Sequence, residues 1–159
     1  MEMNTPSIKK LFISDQKDRK NIRFNKKNML ALRERDEKRR KELEVILRKK
    51  NKFSAEDFYM IAILYQHGSG VADYRKAVSF ARRSMNGGLE KAKWLFAAAT
   101  DRLLMNQGRK QKFGTQYLKK DAKWSFHPVN PKTTDKERAK YNVPSLREAE
   151  AKLKRLNRH

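Results

Sequence analysis

Apolar residues are unevenly spread along the chain, and their spacing divides it into parts. Phe58, Tyr59, Ile61, Ala62, Ile63, Leu64 and Tyr65 form a run that is apolar nearly all round, the pattern of a buried helix. Ser54 with Asp57 forms a capping box that opens this helix, which ends at Gly68, before the flexible Ser69-Gly70. Asp73 caps a following helix carrying Tyr74, Ala77, Val78, Phe80 and Ala81, which stops at Gly87-Gly88. A third runs from about Leu89 to Asn106 and is closed by Gly108. Its apolar set is Ala92, Trp94, Leu95, Phe96, Ala98, Ala99, Leu103 and Leu104, with alanines that permit close approach of a neighbouring helix.

On either side of this centre the pattern changes. Lys26–Asn51 is dense in helix formers, with Leu30, Leu32, Leu43, Val45, Ile46 and Leu47 its only sizeable apolar residues. Its middle, Arg33 to Glu42, is almost wholly charged, with opposite signs one helical turn apart at Glu34–Lys38 and Glu37–Lys41, and reads as a solvated helix face. Beyond Gly108, Gln111–Leu118 and Trp124–Val129 read as extended or irregular segments punctuated by Pro128 and Pro131. Thr133/Thr134 starts a short helix to about Tyr141, and Ser145 with Glu148 is a second capping box, opening a basic helix to about Asn157. The expected fold is mainly α: a helical-hairpin core at 53–108, preceded by a basic arm and charged helix at 1–52. A basic extension at 109–159 packs on that core.

Charge then narrows the function. The chain has 159 residues, with 40 Lys plus Arg against 18 Asp plus Glu, for a net charge of +22. The absence of cysteine excludes disulfides, thiolate metal sites and cysteine nucleophiles. No apolar run approaches the ~18 residues needed to span a bilayer. The start, Met1 to Pro6, lacks a signal-peptide apolar stretch, so the expected location is cytoplasmic, away from membranes. Residues 1–52 hold 18 basic and 8 acidic side chains, 53–108 hold 7 and 5, and 109–159 hold 15 and 5. A nearly neutral middle between two basic segments implies a polyanionic partner, since counterion release from a phosphate backbone rewards such an excess.

Lys9, Lys10, Arg19, Lys20, Arg23, Lys26, Lys27, Arg48, Lys49, Lys50 and Lys52 could line one phosphate track. Arg109, Lys110, Lys112, Lys119, Lys120, Lys123, Lys152, Lys154, Arg155 and Arg158 could line another. Phe24, Phe53, Tyr117, Trp124 and Phe126 are interleaved with these charges, which suits stacking on unpaired bases or packing of cationic stems. No RNA-recognition, KH or zinc-finger signature is visible, so recognition is expected to be led by the backbone. RNA or a ribonucleoprotein is the expected partner, with DNA or an acidic protein as alternatives.

The spacing Tyr65-x-x-Gly68-x-Gly70-Val71-x-Asp73-x-x-Lys76-Ala77, followed by Gly88 and Ala92, resembles a Sel1-like repeat, a relative of the tetratricopeptide repeat. One copy is present, which implies a helical hairpin and not a solenoid. A longer pattern comprises Asp15-Gln16-x-Asp18-Arg19, Arg35-Asp36-x-x-Arg39, Gln66-His67-Gly68, Ala98-Ala99-Thr100-Asp101-Arg102 and Gln111-x-Phe113-Gly114-Thr115-Gln116. It continues through Pro128-Val129, Asp135-x-x-Arg138 and Val143-Pro144-Ser145-Leu146. This pattern is similar to that of a mostly bacterial family described only as a domain of unknown function. That resemblance implies no activity, and the Lys/Arg enrichment departs from its pattern.

If the first and third core helices run parallel, Gln66 and His67 meet Asp101 and Arg102 beside the loop Gly108–Gln116. His67 would exchange a proton near neutral pH, Asp101 would orient it or act as base, and Arg102 would clamp a phosphate or carboxylate. Gln66, Gln111, Thr115, Gln116, Asp135 and Arg138 would bind a base, ribose or amide. The alternative is an internal network in which Asp101, Arg102, Asp135 and Arg138 pair and the glutamines satisfy buried backbone groups. The histidines (His67, His127 and His159) have no metal-ligand spacing, and Gly68-Ser69-Gly70 lacks the Lys-Ser/Thr of a phosphate loop, so neither metal nor nucleotide cofactor is expected.

Overall fold

The buried run around Ile61 forms the centre of the molecule. The structure is a computed structural model that describes residues 7–23 and 25–158. Met1 to Pro6, the candidate stacking residue Phe24 and the terminal His159 lie outside the described residues. Among those residues the chain is mainly helical, with α1 Ile8–Asn21, α2 Lys26–Lys49, α3 Ala55–Gln66, α4 Val71–Asn86, α5 Ala92–Asn106, α6 Asp135–Lys140 and α7 Leu146–Leu156. A single antiparallel hairpin, β1 Tyr117–Lys120 and β2 Lys123–Phe126, interrupts them.

Helices α3, α4 and α5 stack in sequence, α4 packing against both others. Ala92, Ala97, Ala98 and Ala99 on α5 are buried, as are Ala77 and Ala81 on α4, and these small side chains let the backbones close up. Tyr65 and Phe80 stack with centroids 5.8 Å apart. Both capping boxes expected from sequence form: Ser54 Oγ accepts from Asp57 N at 3.0 Å, and Ser145 Oγ from Glu148 N at 3.2 Å. Asp73 departs from expectation. The N-cap of α4 is Gly70, and Asp73 in the first turn instead reaches back to accept from Ser69 N at 3.2 Å. That contact requires glycine at 68, where a Cβ would lie 2.3 Å from Asp73 Cβ.

The basic arm before the core contains α1, a helix absent from the sequence reading. Leu32, Asp36, Arg39, Leu43 and Ile46 are buried on α2, and Ile8, Leu11 and Asp15 on α1, at alternating spacings of three and four residues. Both buried faces also meet α3, with Ile8, Leu11, Leu43 and Ile46 sharing one cluster with Ile61 and Leu64, so the three helices close together. The charged middle of α2 is therefore not a wholly solvated face: Asp36 and Arg39 are only 5% and 6% exposed. Glu37–Lys41 closes as an ion pair at 2.9 Å, whereas Glu34–Lys38 does not.

Past α5, the segment read as irregular turns into the β1–β2 hairpin through Asp121 and Ala122, both in the left-handed region (φ 49° and 63°). α7 then packs against β2.

Candidate nucleic-acid interface

Asp101 fixes the start of the C-terminal extension. It sits on α5, fully buried, and its carboxylate accepts from Lys112 N (2.7 Å), Phe113 N (2.8 Å), Thr115 N (3.0 Å) and Thr115 Oγ1 (2.8 Å). The loop after Gly108 is thus wrapped around one anion. Gln111 holds the loop's other side: Oε1 accepts from Gln116 N at 3.0 Å while Nε2 donates to Gln116 O at 3.2 Å and His127 O at 2.7 Å. Arg138, 1% exposed, donates through Nε to Phe113 O at 2.9 Å and through Nη1 to Thr133 O at 2.9 Å and Asp135 Oδ1 at 3.1 Å. Asp135 in turn accepts from Leu146 N at 3.1 Å, at the start of α7. The chain of contacts runs from the helical core through the loop to the basic helix.

Arg102 donates to Gln66 O at 2.8 Å and to Gln116 Oε1 at 3.3 Å. The ends of α3 and α5 therefore do meet. Burial lowers the Arg102 pKa from its ordinary value. His67, however, turns away from Asp101. Its Nδ1 lies 2.9 Å from Asp15 Oδ1, within a second network. There Arg19 pairs with Asp15 (2.7 Å) and Asp36 (2.8 Å), Arg39 with Asp36 (2.8 Å) and with Asp18, and Arg35 with Asp18 (2.8 Å). Burial raises the pKa of Asp15, but the hydrogen bond and charge of His67, with Arg19 and Gln16, outweigh it and hold the carboxyl below its usual range. Asp18 behaves likewise, with Arg35 and Arg39 opposing its desolvation.

The structure thus separates His67 from Asp101, and the side chains of Gln111, Thr115, Gln116, Asp135 and Arg138 have internal partners, whereas Gln66 is engaged by Arg102 only through its backbone carbonyl. Gln66 Oε1 and Arg138 Nη2 are buried without a hydrogen-bond partner among the described residues.

The cations divide in the same way. Arg19 is taken up by carboxylates, Lys50 lies 3.4 Å from Asp57, and Lys112 pairs with Glu137 at 2.8 Å. Lys9, Lys10, Lys20, Arg23, Lys26, Lys27, Arg48 and Lys49 are exposed on or beside α1 and α2, and Arg109 and Lys110 are exposed after α5. A further group lies where α7 meets the hairpin. Asn157 locks the two together, donating through Nδ2 to Trp124 O and accepting from Trp124 N, both at 2.8 Å. Lys119, Lys120, Lys123, Lys152, Lys154, Arg155 and Arg158 are all exposed there, and among the described residues none forms an ion pair within 4.0 Å. Lys152 lies over the Tyr117 ring at 4.9 Å and Lys119 over Trp124 at 5.5 Å. The rings of Tyr117 and Phe126 meet edge to face, 4.8 Å between centroids. Tyr117 and Trp124 are thus half-buried supports for lysines, and Phe126 packs on Tyr117.

Sequence reasoning missed one further residue. Trp94, counted among the apolar set of its helix, is 46% exposed and lines a cleft beside α7; its place between Lys93 and Leu95 carried no signal to set it apart.

No family model matches the chain, and no curated protein and no solved structure matches it either. No helix among the described residues is long and apolar enough to cross a membrane.

Proposed function

We propose that the chain is a cytoplasmic RNA-binding protein, engaging RNA or an RNA-containing assembly through backbone-directed contacts from its two basic segments. The observation that carries this reading is the junction of the hairpin and α7. Around it lie seven exposed cations with no ion-pair partner among the described residues, two of them supported on aromatic rings. Such a surface suits a phosphodiester chain, which presents closely spaced anions and gains from releasing counterions. An enzymatic role for His67, Asp101 and Arg102 is less well supported, because Asp101 already accepts four hydrogen bonds from the loop and His67 faces Asp15.

The test is a titration of mixed-sequence RNA across a range of salt concentrations, comparing the natural chain with a Lys119→Ala/Lys120→Ala/Lys123→Ala variant. Affinity should fall steeply with salt, and the variant should show a smaller slope by roughly 0.7 for each phosphate contact it loses on a single strand. A flat salt dependence, or no binding at low salt, overturns the reading. Retention of an acidic protein after nuclease treatment, with RNA absent, does so as well.

A further inference from the structure

Beside the basic face lies a cleft of about 420 Å³, within the range that holds small ligands. Trp94 from α5 forms part of its wall, with Thr115 and Tyr117 from the loop and first strand, and Glu148, Lys152 and Arg155 from α7. The composition is specific: an open indole, two exposed cations and a carboxylate on one recess. Glu148 Oε2 is committed to Ser145, accepting from its N at 2.7 Å and its hydroxyl at 2.9 Å. Its Oε1 has no partner among the described residues and is the carboxylate oxygen left free to accept. Gly114, buried with φ +87°, brings the loop backbone to the floor.

We infer that this cleft seats one unpaired nucleotide of a single strand, its base stacked on Trp94 and its phosphate held by Lys152 and Arg155. An aromatic plane accepts any base, because every base has a π-face. An exposed indole next to paired cations matches a base and its adjoining phosphate together, whereas an apolar peptide would leave both cations unmatched. Glu148 Oε1 can accept from a base N–H, since the edges of an unpaired base are free. A base in a duplex is stacked and paired and cannot enter. The inference rests on the RNA reading and deepens it, from a charged surface that tolerates any phosphate backbone to a site that requires an unpaired base.

The experiment uses the full chain and one mixed-sequence RNA, offered as a single strand and annealed to its complement. In a Trp124→Phe background Trp94 is the sole tryptophan, and single-stranded RNA should quench its emission while duplex does not. Trp94→Ala should weaken single-strand binding by ~10- to 100-fold and leave duplex binding unchanged. Trp94→Phe, which keeps an aromatic plane, should recover most of the loss, a rescue that a merely structural role would not give. Unaltered single-strand affinity in Trp94→Ala, equal losses on both RNA forms, or absent quenching overturns the inference while leaving the RNA reading in place. Failure of the natural chain to bind either form overturns both.

Discussion

Asp101→Asn isolates the anion that organises the C-terminal extension. The substitution keeps shape and volume, so its cost is confined to hydrogen bonding. The carboxylate serves two donors through each oxygen: Lys112 N and Phe113 N on one, Thr115 N and Oγ1 on the other. An asparagine amide can accept on only one side. If its NH₂ faces Lys112 and Phe113, two backbone N–H groups lose their acceptor. If it faces Thr115, the hydroxyl can rotate to accept, but the Thr115 N–H still confronts a donor. The second arrangement is the cheaper. It orphans one buried N–H, at ~1–3 kcal/mol, and weakens the remaining bonds by removing the charge, for a total near ~3 kcal/mol. Against a usual stability of ~5–15 kcal/mol this is a large share, and it corresponds to a drop of roughly 6–12 °C in Tm for a chain of this size. Urea unfolding measures the loss, and amide exchange at Lys112, Phe113 and Thr115 locates it. A change below ~0.5 kcal/mol, the scale of an ordinary surface substitution, with no faster exchange at those amides, refutes the assignment of Asp101 as the loop's anchor.

Two further outcomes follow from the other contacts. Asp15 and Asp18 titrate below their usual range in the folded chain. Their contribution is therefore complete above the ordinary aspartate pKa of ~3.9 and is lost as pH falls through the lower folded values. A pH series of urea unfolding should show that acid-limb decline, less steep in Asp15→Asn; identical limbs would show that the α1–α2 network has no linkage to folding. Gly68→Ala places a Cβ 2.3 Å from that of Asp73 and should destabilise by ~1–3 kcal/mol, read by thermal unfolding, whereas an unchanged Tm would mean that the turn opens freely.

The sequence exposed those parts of the fold that depend on local rules. The capping residues Ser54, Thr134 and Ser145 and the buried run on α3 are local signals, and each marks an observed helix. α1 was hidden because its seam with α2 has charged residues at core positions. Asp15, Asp36 and Arg39 read as solvated by pattern, yet Arg19 on α1 bridges Asp15 to Asp36 on α2, and Arg39 on α2 reaches back to Asp18 on α1. Such buried pairs carry a desolvation cost and leave no trace in hydrophobic periodicity. The hairpin was hidden for a different reason. Its turn is Asp121-Ala122, without the glycine or asparagine that usually supplies positive φ, and its short strands are only partly covered. The candidate polar residues were found as a group but not in their pairing. Whether His67 turns to Asp101 or to Asp15 depends on α1, which pattern alone did not supply.

The placement of the acidic residues sharpens the electrostatic argument. Asp15, Asp18 and Asp36 are spent on Arg19, Arg35 and Arg39, and Asp101 on the loop backbone. Glu44 is held by Lys76 and the Tyr65 hydroxyl, both of which keep its pKa low. These carboxylates are taken up by partners within the chain, and most of the surplus cations are exposed. Like charges crowd where α7 lies on the hairpin, because Lys152 and Lys119 each sit on a ring of the hairpin beside further cations. That junction is held chiefly by the paired hydrogen bonds of Asn157 to Trp124 and a longer one, 3.4 Å, from the Tyr117 hydroxyl to Ala149 O. A phosphate chain laid along it would replace repulsion between these cations with attraction.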